Sequence, residues 1–322
     1  MATIKDVAKL AGVSLSTTSY ALNGSSKISE PTKQKVLAAA KELNFSPNAA
    51  ARSLKTKKTK IIGVVLSEFI GVHFSDLLAG INHQMTKNGY DVIVISGIET
   101  GERFIRQRLV DGMILIDSKI SDDIIIKYSS SEFPFILLDR KLEREGAYSI
   151  MINNQEAFTE IINMHLNNGR RRIAYFSGEV TSIDNKYRYE SYKNVLEAHN
   201  INYTRVFEGN YIKETAYQLM SASIENGDID FDAVACANDL MAIGVVEALN
   251  DANIKVPEQV AVSGFDDIEL GTYCSPKLTT YRIDRRAWGE KVGEIMLRAL
   301  IQEEGIHTHE FPGYLVKRES TN

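Results

Sequence analysis

From position 61 onward the chain alternates between two textures. Short runs rich in β-branched and other apolar residues, "IIGVVLS", "YDVIVIS", "DGMILID", "FPFILLD", "YSIMIN", "RIAYFSG", "DAVACAN" and "VAVSGF", read as strands. Between most of them lie longer stretches with helical spacing, for example Phe74 to Lys87 and Asn185 to His199. Strand and helix in repetition predict parallel α/β units. The strand series is too long for one simple sheet, and the set starting near Arg172 repeats the style of the earlier one, which predicts two similar subdomains.

The first 60 residues are patterned differently, as short helices. Ile4, Val7, Ala8 and Ala11 recur at helical spacing behind Thr3, a cap with Asp6 three residues on. Gly12 ends this helix, and Ser14 caps a second that runs to Asn23 and Gly24. On the second helix Thr18, Ala21 and Leu22 share one face, Ser16 and Tyr20 point the opposite way, and Leu15 and Ser19 flank them. Ser29 precedes a third helix with Pro31 in its first turn and Val36, Leu37, Ala40 and Leu43 on one face. The stretch "SPNAAARSLKTKKTK" predicts a fourth, with Ser46 as cap and Pro47 at its first position. That helix has little apolar surface of its own and is too short to be stable alone.

Charge sharpens this division. The chain carries a net charge of -5, yet residues 1–60 hold eleven Lys and Arg against three carboxylates, about +8, which leaves about -13 for the remainder. A basic head on an acidic body predicts a head that meets a polyanion, with lysines that merely solvate helical faces as the alternative. A helix, a short turn containing Gly and a second helix form the helix-turn-helix arrangement, whose second helix enters the major groove. There the outward hydroxyls can bond base edges and Leu15 can touch a thymine methyl. The same geometry also occurs in proteins that never touch DNA.

Other classes find little support. "MATIKDVAKL" has charges where a signal peptide needs an apolar core, and no apolar run approaches a membrane span, so the expectation is a cytoplasmic protein that does not insert in a membrane. Cys236 and Cys274 have neither metal nor redox spacing, which fits a reducing compartment. There is no phosphate-binding Gly-Lys-Ser/Thr loop, no His-Glu-x-x-His and no nucleophile elbow, so the reading is of a non-enzyme without a cofactor. His307 and His309 read as surface residues rather than metal ligands, and the sequence neighbours Asp266 and Asp267 are expected to point apart rather than act as an acid/base pair.

"TIKDVAKLAGVSLSTTSYALNG" followed by "ISEPTKQKVLAAAKELNFSPNAAARSL" closely resembles the DNA-binding head of the lactose/galactose repressor (LacI/GalR) family of bacterial transcription regulators, and the likeness continues through "ANDLMAIG", "VSGFDD" and "KLTTYRID". The resemblance implies a small all-α helix-turn-helix head and an α/β body of the type I periplasmic-binding-protein kind, two Rossmann-like lobes of parallel sheet closing on a ligand. It places the head at 1–46, a hinge helix and linker at 47–60, and the effector and dimerisation body at 61–322. Within the body one lobe takes about 61–152 and 285–310, the other about 153–284 and 311–322.

For DNA, the resemblance implies that Leu15, Ser16 and Tyr20 read bases, with Asn23 at the end of their helix, and that Leu54 is wedged into the minor groove. Thr3, Thr17, Asn48, Arg52, Lys55 and Lys57 complete the expected DNA contacts, the lysines on phosphates. One departure stands out: relatives commonly end the reading helix in a Val-Ser-Arg pattern, whereas this chain has Thr18, Ser19 and Tyr20. The operator is expected to differ accordingly.

For the body, ligands of open α/β sheets sit beyond the carboxyl ends of strands. That rule selects Ser67 and Phe69 after the first run, Asp139, Asn238 with Asp239, and Asp266 with Asp267. By resemblance Arg188 is the effector-binding arginine, Asn238 and Asp266 bind hydroxyls, and Tyr211 is an aromatic wall. Asn238 and Asp239 are equally placed to cap the next helix, and Asp266 a turn. In two further departures "SEFIGVHFSD" lacks the family's Asn-Pro pair and Ser191 replaces a usual glycine, while "SGIETGERFIRQRLVDG" looks abbreviated. The expected partners are operator DNA, a small effector, a sugar by this reading, and a second copy of the chain as homodimer or dimer of dimers. A nucleobase or a phosphorylated carrier protein is the alternative effector, and a sugar-binding protein without a regulatory role the more distant alternative.

Overall fold

All eight apolar runs form strands in the computed structural model, which describes residues 2–46, 53, 54, 56–66, 74–116, 119–305 and 309–322. The chain divides into two compact units, Met1–Thr59 and Lys60–Asn322.

The core of the first unit is built, among the described residues, by the helices α1 (Ile4–Ala11), α2 (Leu15–Leu22) and α3 (Glu30–Glu42). The α1 cap is reciprocal, since the Thr3 hydroxyl accepts the Asp6 N–H and the Asp6 carboxylate accepts the Thr3 N–H at 2.8 Å. Gly12 then turns the chain at φ 67°, a left-handed conformation that a side chain would disfavour. Val7, Ala21, Val36, Ala39 and Ala40 make the small core. Thr18 is wholly buried among them and donates its hydroxyl to the Ser14 carbonyl at 3.0 Å, so its polar atom is satisfied. On α3 the buried stripe is Val36, Ala39 and Ala40, continued by the half-buried cap residue Leu43, and Leu37, expected inside, is exposed; a stripe stepping by three, one and three residues leaves no room for it.

Residues 47–52 and 55 lie outside the described residues, and with them Asn48, Arg52, Lys55 and most of the expected fourth helix. Ser53, Leu54 and Thr56 are helical, and the Lys57 N–H donates to the Ser53 carbonyl at 2.7 Å before the chain turns at Lys57 with φ 55°.

The second unit holds two six-stranded sheets. The first runs β11 (His309–Phe311), β5 (Ala147–Ile152), β4 (Phe135–Leu137), β3 (Gly112–Ile116), β1 (Ile61–Leu66) and β2 (Asp91–Ser96), parallel throughout. The second runs β12 (Tyr314–Val316), β10 (Thr279–Arg282), β9 (Ala261–Asp266), β8 (Ala233–Cys236), β6 (Ile173–Ser177) and β7 (Arg205–Glu208), parallel except for the antiparallel β10 and β12 pair. Central strands such as β3 and β6 are buried at every position, as strands covered on both faces must be.

Helices α4 (Phe74–Lys87), α5 (Ile98–Arg106) and α6 (Asp122–Tyr128) belong to the first lobe, and α7 (Asn154–Asn167), α8 (Ile183–Ala198), α9 (Lys213–Glu225) and α10 (Asp239–Asp251) to the second. The abbreviated "SGIETGERFIRQRLVDG" is accommodated by a nine-residue α5 that buries Ile105 and sets Gly101 against Val65 and Ile120. A last helix, α11 (Arg285–Leu300), packs on α4 through facing glycines: a Cβ on Gly289 would lie 2.1 Å from the Leu77 carbonyl oxygen, and one on Gly80 2.2 Å from that of Arg286.

The chain passes between the lobes three times. It leaves β5 at Ile152 for α7 at Asn154, leaves β10 at Arg282 for α11 at Arg285, and leaves β11 at Phe311 for β12 at Tyr314. These crossovers are where one lobe can feel the other.

Candidate functional site

In the head the outward face of α2 is bare. Leu15 and Tyr20 are 44% and 49% exposed, Ser16 is exposed, and among the described residues none bonds the side chain of Ser16 or Tyr20. The helix has no acidic residue in its first turn, so nothing there repels a phosphate from its positive end. Their neighbours are engaged within the protein. Thr17 closes the cap, with its N–H on the Ser14 hydroxyl at 3.0 Å and its own hydroxyl 2.8 Å from it. Asn23 is the C-cap, its side-chain amide donating to the Ser19 carbonyl at 2.7 Å, and the Thr3 hydroxyl donates to Asp6. Leu54, among the described residues of the hinge, is 84% exposed.

In the body the candidates separate. Ser67 and Phe69 lie outside the described residues. Asp139 follows β4 in the first lobe, where its two carboxylate oxygens accept from Nε and Nη2 of Arg140 at 3.0 and 2.9 Å. Arg188, Tyr211, Asn238 and Asp266 are brought to one edge of the second lobe, the carboxyl ends of β6 to β9.

Arg188 is the centre of that edge. It projects from α8 with only 4% exposure, donates from Nε to the Asn154 amide oxygen at 2.7 Å and from Nη1 to the Ala237 carbonyl, and lays its guanidinium 3.7 Å from the centroid of Phe265. Burial opposes its charge, but the Tyr211, Asp184 and Asp266 oxygens around it hold its pKa above the ordinary arginine value. Asn154 is itself fixed by donating to Asp184 at 2.7 Å. The second lobe's arginine is thus tied to the first crossover.

Tyr211 is clamped on every side. Its ring lies over Gly178, where a Cβ would sit 2.0 Å from Cζ, its hydroxyl is 3.2 Å from that of Ser182, and its carbonyl accepts from Asn238 at 3.1 Å. Burial pushes the phenol up to about 12. Its φ of 64° is the left-handed region that a bulky residue avoids, and Asp266 and Asp267 have φ of 110° and 53°. Three non-glycine residues in unfavourable backbone at the carboxyl ends of β7 and β9 form the kind of strained arrangement that ligand sites hold in place through surrounding structure.

Asn238 caps α10, accepting the Met241 N–H at 3.0 Å while its amide holds Tyr211. One side chain makes both contacts. Asp266 and Asp267 do point apart: Asp266 pairs with Arg285 at the second crossover, and Asp267 with Arg282 and with Arg318, the latter at 2.7 Å. Beneath them Asp239 is wholly buried, and burial followed by the nearby Asp266 raises its pKa well above the carboxylate range. The Thr280 hydroxyl at 2.6 Å and the Ile268 N–H at 2.9 Å hold it in place.

Asn154, Asp184, Ser182, Phe265 and Arg285 were not among the residues the sequence pointed to. Only the four-residue spacing of Asp184 and Arg188 at the start of a predicted helix was visible; the rest meet across 19 residues or more. Elsewhere on the second lobe a cavity of about 360 Å³ is lined by Leu240, Ile243 and Val246 of α10 with Leu270 and Tyr273, and Lys213 pairs with Glu247 beside it at 2.7 Å. Among the described residues no group of His, Cys, Asp and Glu could hold a metal ion, and no helix is long and apolar enough to cross a membrane.

A helix-turn-helix unit followed by two parallel sheets joined by three crossovers defines a class, the DNA-binding regulators with a periplasmic-binding-protein-like body. Residues 3–48 match the family described as bacterial regulatory proteins, lacI family, and residues 162–321 match the periplasmic binding protein-like domain. The chain is 34% identical over 313 residues to the HTH-type transcriptional repressor PurR of Vibrio campbellii, covering 94% of this chain and 93% of that one, and 31% identical over 315 residues to PurR of Mannheimia succiniciproducens, with the same coverage. Among solved structures, the lac repressor dimer bound to operator and the anti-inducer ONPF superposes with a TM-score of 0.88 at 27% identity, over 99% of both chains. A lacI-family regulator from Enterococcus faecium with bound ribose superposes with a TM-score of 0.73 at 26% identity, over 81% of this chain and 98% of the other. The chain belongs to the lacI family: it is a DNA-binding transcriptional repressor that responds to a small-molecule effector, and it is not an enzyme.

Proposed function

We propose that this repressor acts as a homodimer on a pseudo-palindromic operator of carbohydrate-utilisation genes and that a sugar, bound at the Arg188 edge, sets its DNA affinity. Leu15, Ser16 and Tyr20 read the major groove of each half-site, Leu54 enters the minor groove at the centre, and Lys57 with its neighbours holds phosphate. The dimer covers the apolar face around Leu270 and Tyr273, 52% and 74% exposed in the single chain. Domain limits of 1–46, 47–60 and 61–322 go with this reading.

One observation carries the effector site: a buried arginine seated on Phe265, with Asn154 linking it to a crossover and Tyr211 strained beside it. An arginine and a carboxylate bind vicinal hydroxyls in pairs while a tyrosine covers an apolar sugar face. Ligand contact on Arg188 and Asp266 pulls on Asn154 and Arg285, shifting the lobes and through them the hinge. The coupling is reciprocal, so operator must alter effector affinity by the same factor. The bound ribose of the Enterococcus faecium regulator supports a sugar, and the PurR relatives support the alternative of a nucleobase.

Titration of the full chain against its own upstream DNA, at several salt concentrations and with panels of sugars and nucleobases, tests this. Binding that weakens with salt and changes by tenfold or more with one sugar is expected. Operator affinity indifferent to every sugar but changed by a nucleobase overturns the sugar assignment.

A further inference from the structure

Two buried nitrogen donors at the start of α11, Nε of Arg285 and Nε1 of Trp288, have no hydrogen-bond partner among the described residues. They lie one turn apart on the helix, with the guanidinium carbon 5.9 Å from the indole ring centroid. The Arg285 side chain is 12% exposed and Trp288 4%. A fold seldom leaves one such donor unsatisfied, because a buried donor without an acceptor loses its bond to water and gains nothing in return.

The described carboxylates of this region are engaged with other partners. Asp284 is spent as the cap of α11, accepting the Ala287 N–H at 2.9 Å. Asp267 lies between Arg282 and Arg318, and both oxygens of Asp239 are bonded to Thr280 and Ile268. Asp184 accepts from Asn154. Asp266 meets Arg285 through Nη2 alone, which leaves Nε aside. On the other flank stands Phe311, its ring 6.3 Å from Trp288, which offers no acceptor. Both unpaired atoms are donors, one of them on a cation, and the Arg285 guanidinium that carries it reaches Asp266 at the edge where Arg188 also sits while lying over the Trp288 ring.

We propose that the effector carries an anionic acceptor group, a carboxylate or a phosphate on a small hydroxylated molecule, and that Arg285 with Trp288 selects it. The acceptor oxygens take the Nε proton of Arg285 and the indole N–H of Trp288, a charge-assisted arrangement that a neutral hydroxyl reproduces only weakly. Hydroxyls of the same molecule are left to Arg188 and Asp266. Position adds to the selection: Arg285 is the first residue of α11, which packs on α4, so an anion held there is held at the crossover into the first lobe. This rests on the reading that the effector binds at the Arg188 edge, and narrows its class.

Calorimetry of the full chain with gluconate, glucose 6-phosphate, glucose, hypoxanthine and orthophosphate tests it, with Trp288, the only tryptophan, as a fluorescent reporter. Gluconate or glucose 6-phosphate is expected to bind at least tenfold more tightly than glucose and to change Trp288 emission. Arg285→Gln brings that preference within about threefold, and Trp288→Phe weakens the anion by a larger factor than it weakens glucose. Arg285→Lys, which keeps the charge but lacks the Nε donor, retains the preference in part and serves where the glutamine variant does not fold. Anions binding no better than glucose, or a preference that survives Arg285→Gln, overturns the proposal. Operator titration is a separate readout: glucose or hypoxanthine shifting DNA affinity with no anion preference leaves the sensor standing and removes this refinement, whereas anion binding without any shift in DNA affinity does the reverse.

Discussion

The outward face of α2 and the Arg188 edge of the second lobe are built on opposite principles. Ser16 and Tyr20 stand exposed with no side-chain bond to any described residue, and only their neighbours Thr17 and Asn23 are used to cap the helix. Arg188, Tyr211, Asn238 and Asp266 are each already bonded, to Asn154, Ser182, Met241 and Arg285 respectively. A reading surface needs spare capacity, since bases must replace water and nothing else. A sensing site needs its capacity committed, because a ligand that binds must then rearrange bonds that reach the crossovers. Substitutions at the first are expected to alter recognition and spare stability; at the second they alter both.

The largest effect is expected from Arg188→Met. It leaves the Asn154 amide oxygen and the Ala237 carbonyl without their donor in a buried setting and takes a cation from the face of Phe265. Loss of about 3 kcal/mol in unfolding free energy is expected, from urea titrations followed by Trp288 emission, together with loss of any effector-induced change in operator binding. Retained effector response with lowered stability would reduce Arg188 to a structural brace and collapse the contrast between the two regions.

How far these two regions could be read in advance follows from the same contrast. The head was legible almost entirely, because its signals are local: the Thr3 and Asp6 cap, the Gly12 turn, the Ser14 cap and the burial of Thr18 and Ala21 all involve residues within four or five of one another. Helix α4 begins and ends where its apolar spacing does, at Phe74 and Lys87. Strands β7, β10, β11 and β12 were not: they are three or four residues long, and β7 alternates half-buried and exposed positions rather than forming an apolar run. The Arg188 edge was legible as a set of strand ends, but its ties were not. Asn154 lies 34 residues from Arg188 and Arg285 lies 19 from Asp266, and no periodicity records which polar side chain meets which across a crossover. Leu37 failed for a related reason, since a stripe of four apolar residues fits α3 in two phases and only packing selects one.

A second, smaller effect separates the regions by pH. His165 is wholly buried on α7, its Nε2 2.8 Å from the Ser263 hydroxyl, and burial, assisted by Arg170, lowers its pKa to about 3. The unfolded chain binds this proton near pH 6.5 and the folded chain only near 3, so the stability it contributes is fully present above 6.5 and is lost as pH falls toward 3. The slope is about 1.4 kcal/mol per pH unit within that window. Urea midpoints of the body measured from pH 7 to pH 5 should fall accordingly, and His165→Gln should flatten the trend; an unchanged slope in that variant assigns the acid sensitivity elsewhere. The α2 face has no titratable group besides Tyr20, so no such window is expected from it.

The smallest change in stability, and the sharpest test of the division of labour, is expected in the head. Tyr20 is 49% exposed on α2, so Tyr20→Ala should shift unfolding by less than about 0.5 kcal/mol. Its effect lies in recognition: measured against the natural operator and base-pair variants of each half-site, the alanine protein should lose discrimination by tenfold or more at one position, with the slope of affinity against salt unchanged. Lys57→Ala should behave in the opposite way, weakening every DNA by a similar factor and reducing the salt slope by about one. Each measurement isolates one term, since a phosphate contact releases counterions and carries no sequence, whereas a base contact carries sequence and releases none. Tyr20 carries no charge, so its loss should touch only the sequence-dependent part, and two variants with the same profile would show that Tyr20 does not read the operator.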